Sequence, residues 1–452
     1  VTLLETLARD GRETAIVGLG RSGVAAGALL RAHGVKVYAS ELATTATAES
    51  WARTLREAGA EVQLGGHDLA RIARAAAMVV APGVPPTAPP YRAASDAGVP
   101  VLAEVDLGCA ALPHTRFVGI TGTNGKTTTT SLVAHLMRAL GLDDAVAAGN
   151  IGVPLCDVAR QAPPPRWVAL ELSSFQLHDC PHLKPDIAAL LNLAPNHLDR
   201  YATLEEYYGD KALLFRNADR DSLTISNLDD AAVQGMVASV PGRHLRFSVV
   251  SESDAWFDRD GQWLMLGSER LLPRGELMLL GDHNVLNAVT AALVARELGG
   301  SLAQIAAGLR SFRAIEHRVE PVREVDGVLW INDSKSTNVT STAVAIAALD
   351  RPFVLLLGGR HKGEPYTRLA DVMAGRCRAV VAYGESGDIV ERDLSGRVPL
   401  VRSGTFEEVL AAARGLARPG DAVLLSPACS SYDMFDNYEQ RGARFRALVE
   451  GF

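Results

Sequence analysis

An α/β fold in three domains is what this sequence predicts, and three observations predict it. Short apolar runs of strand length alternate with Ala/Leu-rich stretches of helix length, the rhythm of parallel sheets. Two glycine-rich loops, Gly18-x-Gly20-x-x-Gly23 and residues 119–128, each follow an apolar run and precede a helical one. A chain of 452 residues is too long for one core. The expected division is an N-terminal Rossmann-like domain over 1–111, a central P-loop-type nucleotide-binding α/β domain over 112–314, and a C-terminal Rossmann-like doubly wound sheet over 315–452.

In the first segment, residues 14–19 read as a strand and the run to His33 as a helix. Residues 35–39 and 78–81 are further strands, with a helix over 51–59 between them. Residues 82–90 hold five prolines and a glycine, an irregular loop beyond a strand end, where open α/β sheets place their ligands. The glycine fingerprint suits a dinucleotide, and Glu41 stands where a ribose-binding acid belongs. The geometry demands only a pyrophosphate at a helix N-terminus, so a UDP-sugar satisfies it equally, and a plain tight turn is the bland account. The pattern breaks at Leu112-Pro113-His114, which marks the boundary.

The middle segment opens on a strand over 117–120, then Thr121-Gly122-Thr123-Asn124-Gly125-Lys126-Thr127-Thr128, then a helix over 130–140. Backbone N–H groups freed by the glycines turn inward on phosphates, Lys126 pairs with the β- and γ-phosphates, and the Thr127 hydroxyl sits on Mg²⁺. The spacing departs from the strict P-loop, because Ile120 stands where the first glycine should be. Residues 167–172 form a strand that places Glu171 at its carboxyl end, a useful position for a Mg²⁺ ligand as well as for a capping glutamate. Residues 187–193 form another, followed by Asn196, His197, Asp199 and Arg200, where His197 suits a metal or a substrate. Lys211 lies in a helix over 205–215 and by itself reads as a solvated lysine. Residues 223–226 are a strand, 249–276 carry antiparallel strands, and 284–298 are a helix whose Asn284 and Asn287 either cap it or read a base edge.

The final segment has strands at 327–332, 353–357, 379–383 and 422–426, with helices at 341–349 and 406–416. Glu316-His317-Arg318 sits at its start, where an arginine reaches a phosphate or forms an interdomain ion pair. Dense polar loops, Asn332-Asp333-Ser334-Lys335-Ser336-Thr337-Asn338 and Gly358-Gly359-Arg360-His361-Lys362-Gly363, follow two of the strands and suit a ligand or a capped turn. The stretch 425–442 mixes aromatics with many hydrogen-bonding groups, more than a surface loop needs.

Composition narrows the class. The chain is 48% hydrophobic and 21% charged with a net charge of −7, so no broad basic face for nucleic acid is expected. Cys109, Cys156, Cys180, Cys377 and Cys429 form no C-x-x-C pair, which fits a reducing cytoplasm without disulfides or zinc. The first residues lack a signal-peptide layout, and no apolar run is long enough for membrane insertion.

These strings, taken in order, resemble the Mur ligases of peptidoglycan synthesis. The carrying motifs are Gly-Leu-Gly-Arg-Ser-Gly, Thr-Gly-Thr-Asn-Gly-Lys-Thr-Thr, Gly-Asn-Ile-Gly, Glu-Leu-Ser-Ser-Phe-Gln-Leu, Asn-His-Leu-Asp-Arg-Tyr, His-Asn-x-x-Asn-Ala, Glu-His-Arg, Asn-Asp-Ser-Lys-Ser-Thr-Asn and Ser-Pro-Ala-Cys-Ser-Ser-x-Asp-x-Phe-x-Asn-Tyr-Glu-Gln-Arg-Gly. The last string and the N-terminal fingerprint favour the branch that adds D-glutamate to UDP-N-acetylmuramoyl-L-alanine over its sister ligases and the folylpolyglutamate synthases. The resemblance implies an ATP-dependent ligase working through an acyl phosphate, as a monomer, with two Mg²⁺ ions. It assigns the UDP-sugar to Gly18, Leu19, Arg21, Ser22, Ser40, Glu41, Pro82, Gly83, Asn150 and His197. It assigns ATP to Gly122, Thr123, Asn124, Gly125, Lys126, Thr127, Thr128, Asn284, Asn287, Arg318 and Asp333. Lys335, Thr337, Lys362, Ser431 and Tyr438 would surround D-glutamate. Thr127, Glu171, His197 and Lys211, the last as a carbamate, would hold metal, and Lys126, His197, Lys211 and Arg318 would serve catalysis. Two departures stand out: Asn196 replaces the acid that some members carry before the histidine, and Tyr438 replaces the commoner phenylalanine.

Overall fold

A computed structural model describes residues 2–196 and 200–452. Three sheets carry the fold. The first joins β1 (Glu13–Val17), β2 (Lys36–Glu41), β3 (Glu61–Leu64), β4 (Ala77–Val80) and β5 (Val101–Ala103) in the order β3-β2-β1-β4-β5. Every pairing is parallel. The order reverses between β1 and β4, which opens a crevice at their carboxyl ends. There lie the glycine fingerprint and the proline loop. The last two prolines of that loop belong instead to the first turn of helix Pro89–Asp96, where a missing N–H costs nothing. The helix expected over 51–59 starts earlier, at Ala46, because the Thr45 hydroxyl caps it.

The second sheet has nine strands: β6 (Arg116–Thr121), β7 (Val146–Gly149), β8 (Trp167–Glu171), β9 (Ile187–Leu190), β10 (Leu223–Asn227), β11 (Arg243–Ser248), β12 (Ala255–Asp258), β13 (Trp263–Leu266) and β14 (Glu269–Pro273). Their order is β14-β13-β12-β11-β10-β9-β6-β8-β7. The antiparallel strands expected over 249–276 are β12 to β14, paired as consecutive hairpins. The phosphate-loop strand β6 lies between β8 and β9, buried throughout after Arg116.

The third sheet joins β15 (Glu320–Val325), β16 (Val328–Asn332), β17 (Phe353–Gly358), β18 (Cys377–Tyr383), β19 (Leu400–Arg402) and β20 (Ala422–Leu425) in the order β15-β16-β20-β17-β18-β19. Only the edge strand β15 is antiparallel. Apolar clusters cover both faces, one around Leu355 and Leu424, the other around Trp330, Leu356 and Phe445, as a doubly wound sheet requires. The chain forms two compact units, Val1–Arg274 with Leu286–Arg310, and Gly275–Val285 with Ser311–Phe452. The first two sheets therefore share one unit and the third has its own.

Helix Arg21–Ala32 packs so closely on the loop after β1 that a Cβ at Gly23 would lie 2.1 Å from the Gly18 carbonyl oxygen. A backbone atom cannot step aside. Gly23→Ala is expected to cost about 1–3 kcal/mol of stability by overpacking. A lower denaturant midpoint would bear this out, and an unchanged midpoint would contradict it.

Candidate active site

At the first crevice, Gly18 ends β1 with φ 96°, and a Cβ there would lie 2.7 Å from the Ala81 side chain. Leu19 follows, and its N–H donates to Glu41 Oε2 at 2.8 Å, while Ala43 N–H donates to Oε1 at 2.9 Å. Burial raises the Glu41 pKa, but N–H donors from Ala43, Leu19 and Leu42 outweigh it and hold the carboxyl below its ordinary value. Glu41 thus braces the fingerprint loop as an anion. The buried Ser40 hydroxyl donates to Ile16 O at 3.4 Å and lies 2.9 Å from His67 Nδ1. Arg21 and Ser22 open helix Arg21–Ala32, so the free N–H groups of its first turn face the crevice end. Arg21 also lines a cavity of about 500 Å³ with Trp51, Gly152, Val153 and Arg160. Pro82 and Gly83 lie in the loop after β4, and the Pro82 carbonyl accepts a hydrogen bond from Arg200.

The phosphate loop leaves β6 through Gly122 at φ 152° and enters helix Lys126–Ala139 through Gly125 at φ 82°. Its shape is fixed from outside. The Asn192 side chain accepts from Asn124 N at 2.8 Å and donates to Asn124 O at 3.1 Å. The Thr123 hydroxyl donates to Ala194 O at 3.1 Å and accepts from Ala194 N at 3.0 Å. Asn287 Oδ1 accepts from Thr129 Oγ1 at 3.1 Å, and a Cβ on Gly125 would lie 2.4 Å from that oxygen. Asn287 therefore stands against the loop, whereas the Asn284 amide donates to Leu280 O at 2.8 Å.

Two lysines meet on this loop. Lys126 Nζ donates to Gly122 O and Thr123 O, both at 2.9 Å. Lys211 Nζ donates to Gly122 O at 2.8 Å from a helix on the other side, and its side chain is only 1% exposed. Burial pushes the Lys211 amine well below its ordinary pKa, the Lys126 charge pushes the same way, and Asp210 opposes them. A helical lysine that sequence reads as solvated is a buried amine. Glu171 is also buried. Its Oε1 accepts from Asn150 Nδ2 at 2.8 Å, and its Oε2 has no partner among the described residues. A buried carboxylate oxygen left unpaired at a strand end suits a hard cation, which supports Glu171 as a Mg²⁺ ligand. No three described His, Cys, Asp or Glu side chains gather into a metal site. Thr127 and Thr128 occupy the first turn of the helix. His197 lies outside the described residues.

In the second unit, loops leaving the adjacent strands β16, β20 and β17 bring the remaining candidates together. Arg318 sits between His317 at φ 64° and Val319 at φ 41°. A β-branched residue in the left-handed region is strained, and such strain gathers at functional positions. Arg318 Nε is buried with no partner among the described residues. Asp333 accepts from Val319 N at 3.2 Å and from the Ser426 hydroxyl at 2.7 Å. Lys362 Nζ donates to Thr337 Oγ1 at 3.4 Å, and Lys335 Nζ lies 5.9 Å from the Tyr438 ring centre. Ser431 is buried, and its carbonyl accepts from Met434 N and Phe435 N. Arg441, fully buried, ties two of the loops together: it donates to Ser334 Oγ and O at 2.9 Å and to Cys429 O at 3.2 Å. From sequence, Arg200 stands only in the polar cluster beside His197, and Asn192 and Arg441 carry no role of their own. Each acts on backbone carbonyls or amides, which no motif announces.

Fold and loop together define a P-loop-type nucleotide-binding α/β protein, with a doubly wound sheet before the phosphate loop in the chain and another after it. Family profiles described as Mur ligase MurD-like, N-terminal domain, Mur ligase middle domain, and Mur ligase, glutamate ligase domain match residues 12–103, 120–295 and 317–429. The UDP-N-acetylmuramoylalanine–D-glutamate ligase of Acidobacterium capsulatum is 39% identical over 447 residues, covering 97% of this chain and 96% of the relative. The ligase of the same name from Salinibacter ruber is 40% identical, covering 96% of this chain and 97% of the relative. The crystal structure of the UDP-N-acetylmuramate-alanine ligase MurC from Thermotoga maritima shares the fold, with a TM-score of 0.59 at 19% identity, covering 97% of this chain and 99% of that one. The chain belongs to the Mur ligase family.

Burial pushes the Asp333 carboxyl up to about 6, against Ser336, Ser426, the Val319 N–H and Arg318, which pull it down. The unfolded chain releases this proton near 3.8, so folding takes up a proton between the two values. Stability falls as pH rises through that window, by roughly 3 kcal/mol at most for a shift of about two units. Asp333→Asn is expected to abolish this slope and to leave the protein at least as stable at pH 7. Unfolding free energies measured across the window decide it. A variant as pH-sensitive as the wild type would contradict the assignment.

Proposed function

We propose that this chain is an ATP-dependent amide-bond ligase that adds D-glutamate to UDP-N-acetylmuramoyl-L-alanine in peptidoglycan precursor synthesis. The observation that carries the reading is the phosphate loop Gly122–Thr128 at the carboxyl end of β6, with Lys126 at the helix start, Lys211 on the same carbonyl and the unpaired Glu171 oxygen. Such a loop handles a triphosphate, and the family supplies the acid and the amine that use it.

The chemistry follows from a carboxylate being a poor electrophile. An oxygen of the alanyl carboxylate attacks the γ-phosphorus of ATP, the bond to the β-phosphate bridging oxygen breaks, and an acyl phosphate and ADP form. The D-glutamate amine attacks the acyl carbon, and the tetrahedral intermediate expels inorganic phosphate as the nitrogen loses a proton. Lys126 leaves its carbonyl partners for the β- and γ-phosphates and offsets the charge that repels an incoming carboxylate. Loop N–H groups from Thr123 to Thr128 orient the phosphates. Two Mg²⁺ ions, when bound, supply further charge neutralisation on the phosphates; Thr127, Glu171, His197 and Lys211 as a carbamate would hold them. A neutral Lys211 amine attacks CO₂, gains an anionic carbamate and releases a proton, and its lowered pKa supports this role.

We assign Gly18, Leu19, Arg21, Ser22, Ser40, Glu41, Pro82 and Gly83 of a domain over 1–111, with Asn150 and His197 of the domain over 112–314, to the UDP-sugar. Residues 112–314 take ATP, with Asn284 and Asn287 toward the nucleotide, and Arg318 and Asp333 of the last domain complete that set. In residues 315–452, Lys335, Thr337, Lys362, Ser431 and Tyr438 hold D-glutamate, with Lys362 on a substrate carboxylate. The protein works as a monomer in the cytoplasm. Five unpaired cysteines support that compartment, and no helix among the described residues is long and apolar enough to cross a membrane.

Phosphate release with UDP-N-acetylmuramoyl-L-alanine and ATP, tested against D- and L-amino acids, is expected to depend on D-glutamate. Lys126→Ala should lower that rate by about 10²–10³-fold while the fold persists, by analogy with other charge-stabilising donors. ADP formation at the wild-type rate in the variant would sink the loop assignment. For Lys211→Ala, activity should be lost and partly restored by short carboxylic acids that stand in for the carbamate. Full activity without added acid counts against the carbamate.

A further inference from the structure

Arg200 performs no chemistry in the reaction above, yet its side chain reaches the loop that leaves β4 of the first sheet. Its Nη1 donates to Pro82 O at 2.5 Å and its Nη2 to Val84 O at 3.1 Å. The guanidinium carbon lies 3.8 Å from the centre of the Phe175 ring, so an aromatic face covers the cation. The loop it grips walls the glycine fingerprint: a Cβ on Gly18 would lie 2.7 Å from Ala81 Cβ and 3.5 Å from Val84 Cγ2.

The next residue continues the line toward the phosphate loop. The Tyr201 ring stacks on Phe175 with centres 5.8 Å apart, and its hydroxyl donates to Asp210 Oδ2 at 2.8 Å. The other Asp210 oxygen lies 2.8 Å from His178 Nδ1, which anchors the carboxylate from a second helix. Asp210 precedes Lys211, whose Nζ donates to Gly122 O. Side-chain contacts therefore run from the wall of the fingerprint to Asp210, and its chain neighbour Lys211 completes the link to the Gly122 carbonyl.

We propose that Arg200 is a positioning residue that fixes the Pro82–Val84 loop of the sugar-nucleotide pocket in register with the helix carrying Lys211. The inference rests on the function proposed above. The reason for arginine is geometric. Two carbonyls two residues apart need a planar fork, and the ring needs a flat cation, and lysine offers neither. Acceptor-directed bonds to backbone also hold the loop whatever its side chains are.

Arg200→Ala and Arg200→Lys test this by calorimetric binding of UDP-N-acetylmuramoyl-L-alanine, separate binding of ATP, and steady-state kinetics. In both variants Kd and KM for the sugar nucleotide are expected to rise about tenfold or more, the size of losing a desolvated, forked cation. ATP binding without the sugar nucleotide should stay at the wild-type value, and added guanidinium, but not ammonium, should partly lower the KM of Arg200→Ala. Wild-type sugar-nucleotide binding in either variant overturns the inference. So does an equal loss of ATP binding, which would mark a general structural defect. If the wild-type protein itself fails to bind the sugar nucleotide, the proposed function falls and takes this inference with it.

Discussion

One backbone oxygen, that of Gly122, receives two lysine amines, and the phosphate loop is held at that meeting. Lys126 arrives along its own helix and Lys211 from the helix across the sheet. Burial, and after it the Lys126 charge on the same carbonyl, push the Lys211 amine well below its ordinary pKa. A neutral amine at that place is a nucleophile as well as a structural donor. The loop around it is held by groups that do not depend on phosphate: the Asn192 amide on Asn124, the Thr123 hydroxyl on Ala194 and the Asn287 amide on the helix start. Preorganisation of this kind lets the loop receive charge without rearranging first.

The unit that carries the third sheet uses a different device. Three of its polar groups are buried and serve the packing of its loops: Asp333 at 2%, Ser431 at 2% and Arg441 at 0% exposure. Among the described residues Arg441 donates to a hydroxyl and to carbonyls, and so ties loops together. The strain beside Arg318 and the raised Asp333 carboxyl are both unfavourable to folding on their own. A protein retains such features where function uses them. Gly442 shows how little slack remains, since a Cβ there would lie 2.1 Å from His317 Nδ1.

Much of the fold was legible because parallel strands buried on both faces read as continuous apolar runs. The strands at β4, β6, β8, β17 and β20 are of this kind. The unread strands are β3, β5, β7, β11, β15 and β19, all at sheet edges except β11, whose first four residues are exposed or half-buried. In β3, Glu-Val-Gln-Leu alternates between exposed and half-buried at a sheet edge; β7 is Val-Ala-Ala-Gly, also at an edge; and β15 carries a proline and two exposed charges. The phosphate loop and Glu171 were legible from residue type and position after a strand. Lys211 was not, because a lysine's burial depends on which loop the fold lays over it. The roles of Asn192, Arg200 and Arg441 were not legible for a related reason: they act largely on main chain, and main chain is the same in every sequence.

Transfer of the γ-phosphoryl group to a substrate carboxylate is the central step, and isotope labelling reads that bond directly. UDP-N-acetylmuramoyl-L-alanine carrying ¹⁸O in both alanyl carboxylate oxygens would be turned over with ATP, Mg²⁺ and D-glutamate, and the released phosphate analysed by mass. The predicted result is one ¹⁸O in each phosphate and one in the new amide carbonyl. Unlabelled phosphate, or label appearing in AMP, would contradict it.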